Sequence, residues 1–501
     1  MPERSRRAVL ALLGVGTAGV GMAVYAAHDV LVAGAGRRMA EDNPLAGSGA
    51  RLSDTIGHPK ASGDREGQIQ GYASATSVSQ GQVIDFHVSV HAEQSYRIAV
   101  FRLGDYGGKG AWLRTTSAEL QGRRRTVPTA DPTTGVIACD WPVSWSLRIP
   151  SDWRSGLYQA VFTTEDGDVG STPFVVREPA RSADILMVVP FTTYQAYNMW
   201  PKNGHTGKNL YRGYNKAGRI GGTEERAHKV SFDRPYSGAG VPNWFEMDTS
   251  FLRWAERSGL DVAYASSLDL HDGTIDTSRY RALFFPGHDE YWSKPMLDSA
   301  KKAVSAGSHL AFLGANNIYW HVRMEASADG RANRIMACYK TSPDPDRDRS
   351  GATTRWRVIS PNQRQAEQGV LGIQFNGIVQ RPAPLVVKGS GHWLWAGTGL
   401  REGARLPRLV GVEADAYDPK APSPAGSRRT LLAESPYLAK LPKASQRQVQ
   451  HTALTEMPNG AMVFVAGTFH WALALDHPRY WNRHIQTATR NLTNRMLRRQ
   501  T

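Results

Sequence analysis

The sequence predicts an α/β protein built in two parts, a β-sandwich followed by a larger domain with a parallel sheet, and three observations carry that prediction. Residues 69–180 run as short alternating stretches punctuated by Gly and Pro, with no long helical period. After residue 181 the period changes, and apolar runs of strand length alternate with stretches of helical spacing. The 501 residues are 41% hydrophobic and 21% charged, enough apolar material for two sizeable cores but not for a polytopic membrane protein.

The N-terminal residues 1–36 read as an export signal or a membrane anchor. Arg4 and the run Ser5-Arg6-Arg7 precede an uncharged stretch, 8–27, rich in Ala, Gly, Val and Leu. The arginine pair after Ser resembles a twin-arginine signal. The stretch 8–27 is also long enough to remain as an uncleaved anchor, while Ala33 and Ala35 offer a loose cleavage pattern. The expected location is therefore periplasmic or extracellular, with or without attachment through 8–27. Residues 37–68 lack periodicity and are rich in Gly, Ser, Asp and Pro, which predicts a linker.

Within 69–180 the expected strands are 83–90, 96–102, 146–149, 156–163 and 173–176, an arrangement that suggests an immunoglobulin-like sandwich. Trp141, Trp145 and Trp153 supply bulky inward side chains for its core. Gly107-Gly108-Lys109-Gly110 is read as a turn leading into further turn residues, because a phosphate loop should enter a helix and end in Lys followed by Ser or Thr.

Residues 181–501 carry the α/β pattern. Strands are expected at 184–189, 261–264, 281–285, 309–313 and 461–465, and helices at 244–258, 293–305 and 480–498. The intervening residues, notably 344–350 and 419–427, are expected as insertions and loops. The expected layout is a flavodoxin/glutamine-amidotransferase-like parallel sheet, in which functional groups gather at the carboxyl ends of strands. The polar motifs fall there: Tyr194-Gln195-Ala196-Tyr197-Asn198, Gly287-His288-Asp289-Glu290-Tyr291-Trp292-Ser293, Gly314-Ala315-Asn316 and Gly467-Thr468-Phe469-His470.

The formal net charge of +15 invites a nucleic-acid hypothesis, but the basic residues are dispersed and no recognition motif accompanies them, so a solvated basic surface is expected. Two cysteines, Cys139 and Cys338, supply neither a disulfide framework nor a zinc site; two buried thiols are expected, with pairing as the alternative in an oxidising compartment.

His288, Asp289 and Glu290 form the sharpest signal, three groups able to bind a metal or move a proton in one loop before a helix. The competing reading is structural: Asp289 or Ser293 caps the helix while His288 bonds the sheet edge. Tyrosines are dense around the strand ends, but a phenol ionises only near pH ~10 unless a strong cation stands beside it, so each one alone reads as packing.

With these motifs on view, together with Gly207-Lys208-Asn209-Leu210-Tyr211, the chain from about residue 182 onward resembles the large subunit of N,N-dimethylformamidase and the proteins that share its C-terminal domain. The resemblance implies a single ferric ion, Fe(III), held by two tyrosinates and a glutamate. Matched by motif these are Tyr211, Tyr197, with Tyr194 as the alternative, and Glu290. It implies His288 as proton carrier and Asn316 as oxyanion donor, with Glu413 as a further acid. Three hard anionic oxygens suit a hard trivalent ion. The implied function is hydrolysis of a carbon–nitrogen amide bond, in a small amide or an envelope-derived substrate, and oligomer formation stays open. Asp289 stands where the family has a proline, and the segment joining Tyr197 to Tyr211 is shorter, so the substrate does not carry over.

The alternative is a noncatalytic cell-envelope binding protein that retains the α/β scaffold. A cysteine-nucleophile amidotransferase is disfavoured, because Asn316 follows the fourth strand where such a cysteine would stand.

Overall fold

A computed structural model describes residues 60–347 and 351–498. The export or anchor segment, including 8–27, and the linker up to residue 59 lie outside the described residues. Among the described residues no helix is long and apolar enough to cross a membrane. The end of the expected linker is already built into the fold: Ser62 is buried, and Asp64 accepts the backbone N–H groups of Lys202 at 2.7 Å and Gly238 at 2.6 Å. A segment held by polar contacts leaves no hydrophobic period to read.

Two sheets form the N-terminal part. One pairs Ile69–Ala73, Val83–Val90 and Trp145–Arg148 antiparallel. The other runs in the order Ser77–Ser79, Val169–Arg177, Gly156–Thr164, Ser95–Leu103, Ala111–Thr116. Inward residues of both, among them Ile84, Phe86, Ile98, Phe162 and Phe174, share one core, as the period-2 alternation requires. Trp153 and Trp145 pack on that core, but Trp141 does not; it joins Tyr72, Ile137, Cys139 and Trp200 in a separate cluster bridging to the second part. The glycine turn at 107–110 feeds the strand Ala111–Thr116 and not more turn.

The second part centres on a nine-stranded sheet. Val262–Ser266, Ile185–Val189, Ala282–Phe285, His309–Phe312 and Met462–Val465 lie side by side and parallel. In chain order this is second, first, third, fourth, fifth. Ile185–Val189 is buried throughout, which is why its five residues are all apolar. The sheet does not stop there, and this corrects the purely parallel expectation. Gln446–Glu456, Arg428–Leu441, Gln374–Val379 and Glu413–Ala416 continue it antiparallel, through residues expected as insertions and loops. These strands alternate polar with apolar side chains, and one holds Pro436, so they present no apolar run. The molecule is an α/β protein of mixed sheets with helices.

Helix Phe245–Arg257 buries Phe251, Leu252 and Trp254. Helix Lys294–Ser305 begins at Ser293, whose hydroxyl accepts the Met296 N–H. The two parts meet in a polar, enclosed interface: Arg102 pairs with Glu256 at 2.7 Å, Ser77 donates to Asp269 at 2.6 Å, and Trp141 meets Trp200 edge-on at 5.9 Å between ring centroids. Cys139 and Cys338 are both free and buried, which removes the disulfide alternative.

Candidate functional site

The site lies at the carboxyl ends of the first, third and fourth parallel strands, where the strand order reverses, the usual crevice of an open α/β sheet. Glu290 is its centre. Oε2 accepts from Tyr197 Oη at 2.7 Å and from Tyr211 Oη at 2.7 Å, and the two hydroxyls stand 2.9 Å apart. Oε1 accepts from Trp320 Nε1 at 2.8 Å and from Asn316 Nδ2 at 3.1 Å. His288 Nε2 lies 3.3 Å from Glu290 Oε2, 3.2 Å from Tyr197 Oη and 3.8 Å from Glu413 Oε2. All six sequence-selected residues thus meet in one cluster.

Local structure explains how. Tyr197 is the last residue of helix Phe191–Tyr197, which follows the first strand. On the same helix Thr193 Oγ1 accepts the Glu290 N–H at 3.0 Å, and Thr192 Oγ1 donates to the Tyr291 carbonyl at 2.8 Å, so helix and His288–Glu290 loop are tied together. Asn209 connects the two tyrosines: its amide donates to the Tyr197 carbonyl at 2.9 Å while its oxygen accepts the Tyr211 N–H at 2.9 Å. The tyrosine rings stack with centroids 4.6 Å apart. Buried Arg234 binds the Asn198 carbonyl at 3.0 Å, one residue after Tyr197, and the Lys208 carbonyl at 3.2 Å, three residues before Tyr211.

The two readings of the His288-Asp289-Glu290 loop divide between its residues. His288 and Glu290 face the cluster. Asp289 turns away, accepting from Trp292 Nε1 at 2.8 Å, and Ser293 is the helix cap. Tyr194 is likewise outside, donating to Asp248 at 2.5 Å.

Charge in the cluster is finely set. Burial and then the charge of Glu290 drive both Tyr197 and Tyr211 hydroxyls well above the usual phenol range. Burial pushes Glu290 upward, but the His288 hydrogen bond and charge, the Lys340 charge and the Tyr197 hydrogen bond outweigh it and hold the carboxylate below its ordinary value. For His288 burial opposes the charged form, and the charges of Glu413 and Glu290 overcome it, raising the imidazole. Burial pushes Glu413 up to about 8 against the opposing pull of His288.

Lys340, which no sequence signal marks, completes the balance. Its ammonium sits 3.3 Å from the Tyr211 ring centroid, with Trp320 at 4.5 Å and Tyr291 at 5.3 Å, and burial lowers it to about 8. It is a cation held against aromatic faces beside a carboxylate. Trp320 and Phe469, whose ring lies 4.5 Å from His288, were visible as motif neighbours but carried no chemical signal of their own.

Among the described residues no three of His, Cys, Asp and Glu gather into a metal-binding group, so a cation here would depend on the phenols. The donor set fits a hard ion. Tyr197 Oη, Tyr211 Oη and Glu290 Oε2 form a triangle with edges of 2.9, 2.7 and 2.7 Å. These are hydrogen-bond lengths, and they put three hard oxygens together at one point, where they would hold a hard cation once the phenol protons are lost. Deprotonated, the three donors carry the charge that balances a trivalent cation. His288 Nδ1, Asn316 Oδ1 and Glu413 Oε2 have no hydrogen-bond partner, leftover polar capacity concentrated in one place.

Comparison with known proteins gives one family and one curated relative. The model described as N,N-dimethylformamidase beta subunit-like, C-terminal, matches residues 97–486. It therefore begins inside the strand Ser95–Leu103 of the sandwich, well before the motifs that carry the resemblance. The N,N-dimethylformamidase beta subunit of Alcaligenes sp is 23% identical over 218 residues, 37% of this chain and 28% of that protein's length. Among solved structures, a superoxide reductase (neelaredoxin) of Ignicoccus hospitalis shows 12% identity and a TM-score of 0.14 over 25% of this chain and 91% of its own. A cycloisomaltooligosaccharide glucanotransferase of Paenibacillus sp. shows 10% identity and a TM-score of 0.17 over 86% of this chain and 82% of its own. Scores this low carry no argument.

Proposed function

The chain belongs to the N,N-dimethylformamidase beta subunit-like, C-terminal family, and from that premise we propose that it is an exported hydrolase of carbon–nitrogen amide bonds, with a single ferric ion held by Tyr197, Tyr211 and Glu290. The observation that carries the reading is the convergence of those three oxygens, all within 2.9 Å of one another, with His288 and Asn316 against the same carboxylate. Such an ion supplies Lewis acidity toward a water and a carbonyl when bound. The second, first, third, fourth, fifth strand order supports a flavodoxin-like sheet, and the shared core of the two N-terminal sheets supports an immunoglobulin-like sandwich.

The chain's own residues then divide the work. His288 Nε2 takes a proton from the attacking water and returns it to the departing amine nitrogen, so that amide and water become acid and amine. Glu413, 3.8 Å from His288 and with its carboxyl pushed upward by burial, is the adjoining proton store. Asn316 Nδ2, now on Glu290 Oε1, is the donor for the oxygen that gains charge as the carbonyl is attacked. Phe469 and Trp244, edge to face at 5.3 Å, form an apolar wall next to His288 and favour a small, weakly polar amide. The test is a panel of small and cell-wall-derived amides given to the iron-loaded full chain, read as released amine. Turnover lost in Asn316→Ala and His288→Ala supports the reading; no turnover of any amide by iron-replete protein contradicts it.

A further inference from the structure

The turn after the fourth strand holds two residues in the left-handed region, Asn316 at φ 58° and Ile318 at φ 55°. For a β-branched residue such as Ile318 this conformation is costly, and it persists only where surrounding contacts impose it. The N–H groups of Ile318, Tyr319 and Trp320 donate to the carbonyls of Asp289 and Glu290 at 2.9–3.0 Å. The N–H of Asn316 donates instead to a side chain, Asp415 Oδ1, at 2.8 Å. The bonds at Ile318, Tyr319 and Trp320 come from backbone that any sequence provides. The bond at the Asn316 N–H depends on one side chain.

Asp415 is buried, with 1% of its surface exposed, and lies on the strand Glu413–Ala416. Successive side chains of a strand alternate, so Asp415 leaves the same face as Glu413, two residues earlier. Its own N–H is fixed to the Gly467 carbonyl at 3.1 Å, and Ala414 bridges Thr468. One short strand thus presents Glu413 toward His288 and Asp415 toward the Asn316 backbone. Without the Asp415 acceptor the Asn316 N–H loses its partner, and Asn316 Nδ2 loses the backbone restraint that helps direct it to Glu290 Oε1, 3.1 Å away.

We propose that Asp415 is a positioning residue: its carboxyl oxygen holds the Asn316 turn so that the Asn316 amide faces the Glu290 cluster. The role in turnover rests on the amide-hydrolase reading; the role in placing the turn does not. Amide hydrogen exchange of the iron-loaded full chain, read over 314–320, tests the placement. Asp415→Ala is expected to exchange about 10-fold faster there. Asp415→Asn, which keeps an acceptor oxygen, is expected to exchange like the wild type; should the alanine variant not fold, Asp415→Leu, which fills the space without an acceptor, takes its place and is expected to exchange as fast as predicted for alanine. Exchange in Asp415→Asn as fast as in Asp415→Ala, or unaltered exchange in both, overturns the proposal. Once a hydrolysed amide is known, Asp415→Ala should lower kcat about 10- to 100-fold. The double variant Asp415→Ala/Asn316→Ala should be no slower than Asn316→Ala, because both changes remove one function; multiplying effects overturn it. A chain that hydrolyses no amide removes the hydrolase reading and leaves the exchange result to stand by itself.

Discussion

Tyr194 and Tyr197 stand one turn apart on one helix, and each donates to a buried carboxylate, yet their surroundings are opposites. Asp248, the partner of Tyr194, feels the charges of Asp289 and Glu246, and burial above all drives its carboxyl well above the usual range. Glu290, the partner of Tyr197, receives a second phenol, an indole, an amide and an imidazole, with the Lys340 ammonium near, and its carboxyl is held down. The first pair has further acids, Asp289 and Glu246, as the charged groups that act on it. The second keeps its charge inside the protein, which is what a cation site requires. Burial of a tyrosine and an acid together therefore says little; the neighbours that balance the charge distinguish a site from a core.

The comparison breaks most readily at Glu290. Glu290→Ala is expected to weaken iron binding about 100-fold or more, measured as metal retained after dialysis. His288→Ala should retain iron and lower kcat about 100-fold or more on any substrate amide, the loss expected of a general acid–base group. Lys340→Met sharpens the contrast through stability. Lys340 binds its proton more weakly when folded, near 8, than at its ordinary 10.5. Its cost is therefore full below pH 8 and fades as the pH rises toward 10.5. Removing it should raise unfolding stability at pH 7 by about 1–3 kcal/mol, with less gain at pH 10, once the lost cation–π contact is allowed for. Urea titrations at the two pH values measure this. Smallest is Asp248→Asn, which keeps an acceptor for the Tyr194 hydroxyl outside the cluster; iron content and absorption should not change.

Much of this was legible in the sequence, and the exceptions have physical reasons. The five parallel strands announce themselves because both faces are covered and every residue of a run such as Ile185–Val189 is apolar. The four antiparallel strands that extend the sheet do not, since Arg428–Leu441 and Gln446–Glu456 mix buried with exposed positions. His288 and Glu290 could be picked from the loop that ends the third strand, whereas Tyr197, Tyr211, Asn316 and Glu413 were marked only by the family resemblance, since a tyrosine by itself reads as packing. Lys340, Asn209 and Asp415 could not be picked, because each acts through a contact made only by folding: a ring face, a pair of backbone groups, a turn nearly a hundred residues away. The direction in which Asp289 points was equally hidden, since adjacent loop residues have no fixed period.

The central claim is that Tyr197 and Tyr211, and not Tyr194, give up their protons to a hard cation beside Glu290. Resonance Raman spectroscopy of the iron-loaded full chain, excited in the tyrosinate-to-iron charge-transfer band, addresses it directly. The account predicts tyrosinate modes that survive Tyr194→Phe, weaken in Tyr197→Phe and in Tyr211→Phe, and vanish in the double variant. Modes that persist without both tyrosines, or that disappear with Tyr194 alone, would contradict it.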